Sequence, residues 1–228
     1  AHEYYNLPIN FHLAATLQSA AAVHDPAFNS WLTNSVTAGY GQAVTSALAQ
    51  HIMPFFTYNM NSWSVDRERA MTNWRYGGNA VVAWVPERVW LDNPDNDGNG
   101  TTASAGVIDW PGSAFVNNGV QAVILDDYIH CGYKNNAFDD HHIYTLGNGL
   151  KVIPIDNNFV GEMNNDYGSA WNRIINSSAD ELIGSSAGWM TWLLKEDLPG
   201  FMEAACLSAE HLSTLNWEGR IQLSTGEQ

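Results

Sequence analysis

The strongest constraint on the fold is a set of short apolar runs spaced between longer amphipathic stretches. Ala80–Val85, Gln121–Leu125 and Leu150–Ile155 are strand-length, and the alternation of such runs with helix-length segments is the rhythm of an α/β domain. Pro8–His12 and His142–Leu146 read as further strands. The last of these and Leu150–Ile155 flank Gly147-Asn148-Gly149, a strong hairpin turn. Helices are expected at Gln42–His51, Val65–Tyr76, Tyr167–Ile175 and Leu198–Leu215. Asp66 and Glu68 then fall in the first turn of the second, where the helix dipole favours carboxylates.

The chain of 228 residues suits a single domain, 1–228, with a substantial core. Charged residues are only 14% and the net charge is −15. A nucleic-acid surface needs clustered Lys and Arg, and an anionic membrane surface needs the same, so both partners are excluded. Just three lysines occur, Lys134, Lys151 and Lys195. The partner is expected to be neutral or cationic. No apolar run approaches the roughly 18 residues of a membrane span. Cys131 and Cys206 allow one bridge or two free thiols. Few lysines, many asparagines and a first residue that is not methionine together point to a secreted, processed chain; the acceptor triplets Asn99-Gly100-Thr101 and Asn176-Ser177-Ser178 fit this but arise often by chance.

The chemistry concentrates at Trp84-Val85-Pro86-Glu87-Arg88-Val89-Trp90, which follows directly on an apolar strand. Burying a charge without a partner costs several kcal/mol, so two adjacent charges here need either a local ion pair or a task. A carboxylate at the C-terminal end of a strand, walled by Trp84 and Trp90, is placed for catalysis. Aromatic walls stack on sugar rings, and Arg88 orients the carboxylate or holds its pKa low. The plainer alternative is a Glu87–Arg88 ion pair closing the strand. Downstream, Asn93, Asp95, Asp97 and Gly98 fit the spacing of a calcium loop, with Ser104 where a bidentate glutamate is usual; the alternative is a solvated acidic turn. Asp139-Asp140-His141-His142 offers metal-ligand chemistry, but adjacent strand residues face opposite sides, which favours a surface loop.

The segment Trp84–Trp90 resembles the nucleophile motif of glycoside hydrolase family 57. Ala122–His130 is similar to that family's strand ending in Asp-Asp-Tyr-His, Leu150–Phe159 to the hairpin and Pro-Ile-Asp segment after it, and Asn6–Leu17 to an early strand with an Asn-x-His continuation. The four matches fall in order and are spread over most of the chain. The resemblance implies a (β/α)7-type incomplete TIM barrel, and retaining chemistry on α-glucans that requires no cofactor. It makes Glu87 the nucleophile. Retention needs a second carboxyl group about 5–5.5 Å away. Ser178–Trp189 resembles the family's acid/base segment, which makes Asp180 that group, with Glu181 as fallback and helix capping as the structural alternative. The resemblance further implies sugar contacts from His12, Trp84, Arg88, Trp90, Asp126, Asp127, His130 and Trp189. His12 and His130 are alternatively core histidines. Trp63, Trp74, Trp110 and Trp171 are expected to pack.

Three departures temper this reading. The family's opening His-Gln-Pro motif is absent, Gln42 ends a Gly-rich segment where an acid is common, and the chain stops soon after Leu215. These suggest a fragment, a minimal member or a degenerate one. They also keep open a non-catalytic carbohydrate-binding or assembly module, whose low charge suits packing into an oligomer or larger array. A metal-dependent hydrolase built on Asp139–His142 is the third reading.

Overall fold

The computed structural model describes residues 9–86, 111–126 and 143–155. Six strands and four helices follow in the order β1 (Ile9–His12), α1 (Ala15–His24), α2 (Pro26–Thr37), β2 (Gly41–Val44), α3 (Tyr58–Tyr76), β3 (Val82–Trp84), α4 (Pro111–Asn117), β4 (Ala122–Asp126), β5 (Tyr144–Thr145) and β6 (Lys151–Ile155). A short 3-10 turn, Met53–Phe55, lies between β2 and α3.

The sheet is parallel except at one edge. β1 pairs with β2 (Ile9↔Gly41 to His12↔Val44), β3 with β4 (Val82↔Ala122 to Trp84↔Ile124) and β4 with β6 (Ala122↔Lys151 to Asp126↔Ile155). β5 closes the edge antiparallel to β6, through the expected hairpin. A single parallel bridge, Thr45↔Ala83, joins β2 to β3, with Thr45 N–H donating to the Val82 carbonyl at 3.0 Å and Trp84 N–H to that of Thr45 at 2.8 Å. The strand order is therefore β1-β2-β3-β4-β6-β5, and the parallel strands all end on one edge.

Strand alternation divides the core into two layers. Ala83, Val85, Val123, Leu125 and Val152 face α3 and α4, and meet Val65, Ala114 and Phe115. Val44, Val82, Trp84, Ala122, Ile124, Ile153 and Ile155 form the opposite layer, built from strand residues alone among those described. Both faces are buried, which is why these strands read as continuous apolar runs. Polar ties set the helices on the sheet. Arg69 Nε donates to the Ala80 carbonyl at 2.7 Å and Ala80 N–H donates to Asn73 Oδ1 at 2.7 Å, fixing α3 to the start of β3. Gly41 has a packing reason, since a Cβ there would collide with the Ser35 side chain of α2.

Three expectations are corrected. Gln42–His51 is not a helix: Gly41–Val44 is strand β2, fully buried, and the rest is connection. A strand covered on both faces shows no alternation, so Gln, Ala and Leu there resembled a buried helix. Helix α3 begins at Tyr58, capped by Thr57, so Asp66 and Glu68 lie in its middle and not in its first turn. Trp63 and Trp74 do not pack in the core; they are 50% and 78% exposed on α3. The expected helices Tyr167–Ile175 and Leu198–Leu215 lie outside the described residues, as do both cysteines, Asp139–His142, Trp110 and Trp171. Among the described residues, no helix is long and apolar enough to cross a membrane and no group of three or more His, Cys, Asp or Glu side chains gathers at metal-binding distance.

Candidate functional site

The C-terminal edge of the sheet collects the ends of β1 at His12, β2 at Val44, β3 at Trp84, β4 at Asp126 and β6 at Ile155. Parallel α/β sheets display their ligands at this edge, because the loops that follow the strands can vary without disturbing the core. Just past the end of β2, buried Ser46 donates its hydroxyl to the Trp84 carbonyl at 2.7 Å, fixing where β3 releases its chain. Trp84 is buried in the strand-only layer, in register with Ile124. The chain is then described as far as Pro86, one residue short of Glu87.

Behind the end of β1 lies a buried polar cluster. Gln18 of α1 donates through Nε2 to the Leu13 carbonyl (2.8 Å), Thr72 Oγ1 (2.9 Å) and Glu68 Oε1 (3.0 Å). His12 Nε2 stands 3.9 Å from the same Glu68 oxygen. Gln50, in the β2–α3 connection, brings its Nε2 to 3.4 Å from His12 Nε2 and donates to the Ala47 carbonyl at 2.9 Å. Glu68 is fully buried and the His12 side chain is 17% exposed. Burial pushes the Glu68 carboxyl up to about 7, against the stabilising bonds from the Ala15 N–H and Gln18, and lowers His12 to about 4. Both groups are driven toward neutrality, so their approach is a polar contact and not an ion pair. A second buried pair supports the connection: His51 Nε2 lies 2.8 Å from Asn61 Oδ1, while Asn61 Nδ2 donates to the Met53 carbonyl at 2.9 Å.

No protein-family profile matches the chain, and no curated protein does. Solved structures do. A 4-alpha-glucanotransferase from Thermococcus litoralis aligns at a TM-score of 0.54 and 16% identity, over 69% of this chain and 22% of its own. Branching enzymes of the family 57 type from Pyrococcus horikoshii and Thermococcus kodakaraensis align at 0.50 and 0.51, with 15% and 13% identity, over 88% of this chain and 40% of theirs. The fold is distantly that of family 57. The chain spans two fifths or less of the length of these neighbours, and the family 57-like part that is described is an α/β sheet of parallel strands.

Of the site residues expected from sequence, the structure places His12, Trp84 and Asp126 on one edge, the last by its backbone position at the end of β4. Glu87, Arg88, Trp90, Asp127, His130, Asp180 and Trp189 lie outside the described residues, as do Asn93, Asp95 and Asp97. Sequence reasoning missed Gln18, Gln50, Glu68 and Thr72. A signal was present: Asn61, Ser64, Glu68 and Thr72 recur at helical spacing on the stripe of α3 that packs inward, where apolar residues are usual.

Proposed function

We propose that this chain acts on α-glucans as a retaining glycosidase or glucanotransferase, at the C-terminal edge of a (β/α)7-type incomplete barrel to which the described sheet contributes. The observation that carries the reading is the position of β3: Ser46 holds the end of this central parallel strand, on the edge shared with the ends of β1 at His12 and β4 at Asp126, and in the sequence Glu87 follows Pro86 directly. In the proposed reaction the Glu87 carboxylate attacks the anomeric carbon as the glycosidic C–O bond breaks, and Asp180 gives its proton to the leaving oxygen. A water or a sugar hydroxyl then returns a proton to Asp180 as its oxygen displaces Glu87. Arg88, Trp90, Asp127, His130 and Trp189 are assigned to the walls and hydroxyl contacts of the glucan site, while Trp84, buried beside Val44, Ile124 and Ile153, is assigned to packing beneath it.

Glu87→Gln should lower kcat by at least about a thousandfold, since only binding and electrostatic contributions survive loss of the nucleophile. A variant retaining a tenth of wild-type glucan cleavage rules the assignment out. Asp180→Asn should abolish cleavage of substrates with poor leaving groups while sparing the first step on an activated aryl glycoside, and azide should restore turnover. Equal slowing of both substrates, with no azide effect, moves the acid elsewhere, first to Glu181.

A non-catalytic carbohydrate-binding module is the second reading, and Gln42 favours it. This amide stands where the family resemblance leads one to expect an acid, buried in β2 with neither Nε2 nor Oε1 hydrogen-bonded among the described residues. A protein that binds maltooligosaccharide but cleaves no α-glucan would establish that reading. Secretion, and calcium held by Asn93, Asp95 and Asp97, complete the proposal. If calcium binds the native state, chelator lowers the melting temperature; an unchanged melt returns the segment to an acidic turn.

A further inference from the structure

Four side chains from four parts of the chain converge behind the end of β1: His12 itself, Gln18 of α1, Gln50 of the β2–α3 connection and Glu68 of α3. Gln50 decides their chemistry. Its Nε2 lies 2.9 Å from the Ala47 carbonyl, a contact that only the nitrogen end of an amide can make. The same nitrogen is 3.4 Å from His12 Nε2. An amide nitrogen has no lone pair to offer, so the ring nitrogen accepts and the imidazole proton sits on Nδ1. Gln50 also has φ +51, the one non-glycine residue among those described with a left-handed backbone. Strain of this kind persists where the surroundings fix a residue in place.

Glu68 Oε1 stands 3.9 Å from the same ring nitrogen. An ionised carboxylate there would draw a proton onto Nε2 and displace the Gln50 donor, whereas a neutral carboxylic acid leaves the lone pair free. The other buried atoms agree. Among the described residues, Glu68 Oε2 and Gln18 Oε1 are both buried without a hydrogen-bond partner, and a proton on the carboxyl group adds a donor where two acceptors lie. Burial favours the same protonation states, raising the Glu68 carboxyl and lowering the His12 imidazole. Among the described residues, Tyr76 further along α3 also feels Glu68: its phenol is pushed up by burial first, drawn down by the Arg75 guanidinium beside it, and pushed up to a lesser degree by the Glu68 charge. From α1 come the neutral Gln18 amide and the Ala15 N–H.

We propose that Glu68 is a positioning residue: as a neutral acid it keeps His12 in the Nδ1–H tautomer, so that the ring offers a single N–H donor to a sugar hydroxyl at the C-terminal edge of the sheet. The tautomer follows from the cluster alone. The sugar hydroxyl rests on the α-glucan reading above, and the two are separable by experiment.

The test is nitrogen NMR of the histidine rings in the full chain labelled with ¹⁵N-histidine, with the His12 signals identified by their loss in His12→Asn. At about pH 6, where a free imidazole would be partly charged, His12 should be neutral with its proton on Nδ1. As the pH rises through about 7, where Glu68 ionises, the proton should shift toward Nε2. Glu68→Gln carries no titrating group and should hold the Nδ1–H form throughout. Maltooligosaccharide affinity should weaken about three- to tenfold across the same range in the wild type, the size of one ordinary hydrogen bond, and stay level in Glu68→Gln. An Nε2–H ring in the wild type at about pH 6, or a Glu68→Gln ring that follows the wild-type course with pH, overturns the proposal. If the tautomers behave as stated and no maltooligosaccharide binds at any pH, the positioning role stands and the α-glucan reading falls.

Discussion

The two halves of the described sheet bury different kinds of side chain. Among the described residues, every buried polar or charged side chain comes from between Gln18 and Thr72; from Ala80 onward the buried side chains are apolar. The β3–β4–β6 half is specified by shape, with Val82, Ala83, Val85, Val123, Leu125 and Val152 each at most 1% exposed. The β1–β2 half is specified largely by partners: hydrogen bonds meet the side chains of Gln18, Ser46 and Asn61, while Gln42 has none among the described residues. The lesson is one of division of labour. The apolar half supplies a platform that has one state, and the polar half supplies the groups whose state depends on protons.

The sharpest way to break this comparison is to damage each half. Phe115→Ala, in the fully buried layer between α4 and the sheet, should cost about 3–5 kcal/mol in denaturant unfolding. Gln18→Leu keeps the volume but strips donors from the Leu13 carbonyl, Glu68 and Thr72, and should cost about 1–3 kcal/mol for each buried group left unsatisfied. If Gln18→Leu proves neutral, the polar half is held by packing after all.

Protons give a smaller effect with a definite sign. Glu68, raised from its ordinary 4.5 to about 7, favours the fold fully below about 4.5, and that contribution is lost as the pH rises through 7. His12, lowered from 6.5 to about 4, favours the fold above about 6.5 and loses that contribution as the pH falls through 4. Between those ordinary values the two slopes oppose each other. Their sum is a flat-topped profile falling on both sides, by at most about 1.4 kcal/mol per pH unit for each group. The difference in melting temperature between wild type and Glu68→Gln, followed against pH, should isolate the alkaline limb; a difference that is constant with pH would contradict it. The smallest expected effect is Asp25→Ala. It removes the cap that accepts from Phe28 N–H at 3.0 Å at the start of α2, and should cost about 1 kcal/mol.

The two halves also differed in legibility. β3, β4, β6 and the Gly147–Gly149 hairpin were readable, because an apolar run next to turn residues is a local signal. In the polar half, β1 was readable and β2 was not, because the four residues of β2, Gly-Gln-Ala-Val, carry neither an apolar run nor an alternation to mark a strand. Helix α2 carried a start signal in Asp25-Pro26, a cap followed by proline at the first helical position, which went unread beside the weak apolar pattern of Pro26–Thr37. The site divides the same way. The strand-end positions of His12, Trp84 and Asp126 were legible from the apolar runs that they close, whereas the Gln18–Glu68 pair joins residues 50 positions apart and nothing local announces it.

The sheet topology also has a consequence in time. The pairings Ile9↔Gly41, Val82↔Ala122 and Ala122↔Lys151 each close a loop of roughly thirty to forty residues, while Tyr144↔Val152 closes a short one. The hairpin is thus the cheapest register to establish from the unfolded chain, and it supplies β6 as a template on which β4 and then β3 can align. During refolding, amides of β5 and β6 should gain protection from exchange before those of β1 and β2; the reverse order would refute this sequence of events. On this account the sheet grows from its antiparallel border, and the strand that carries His12 is the last to find its place.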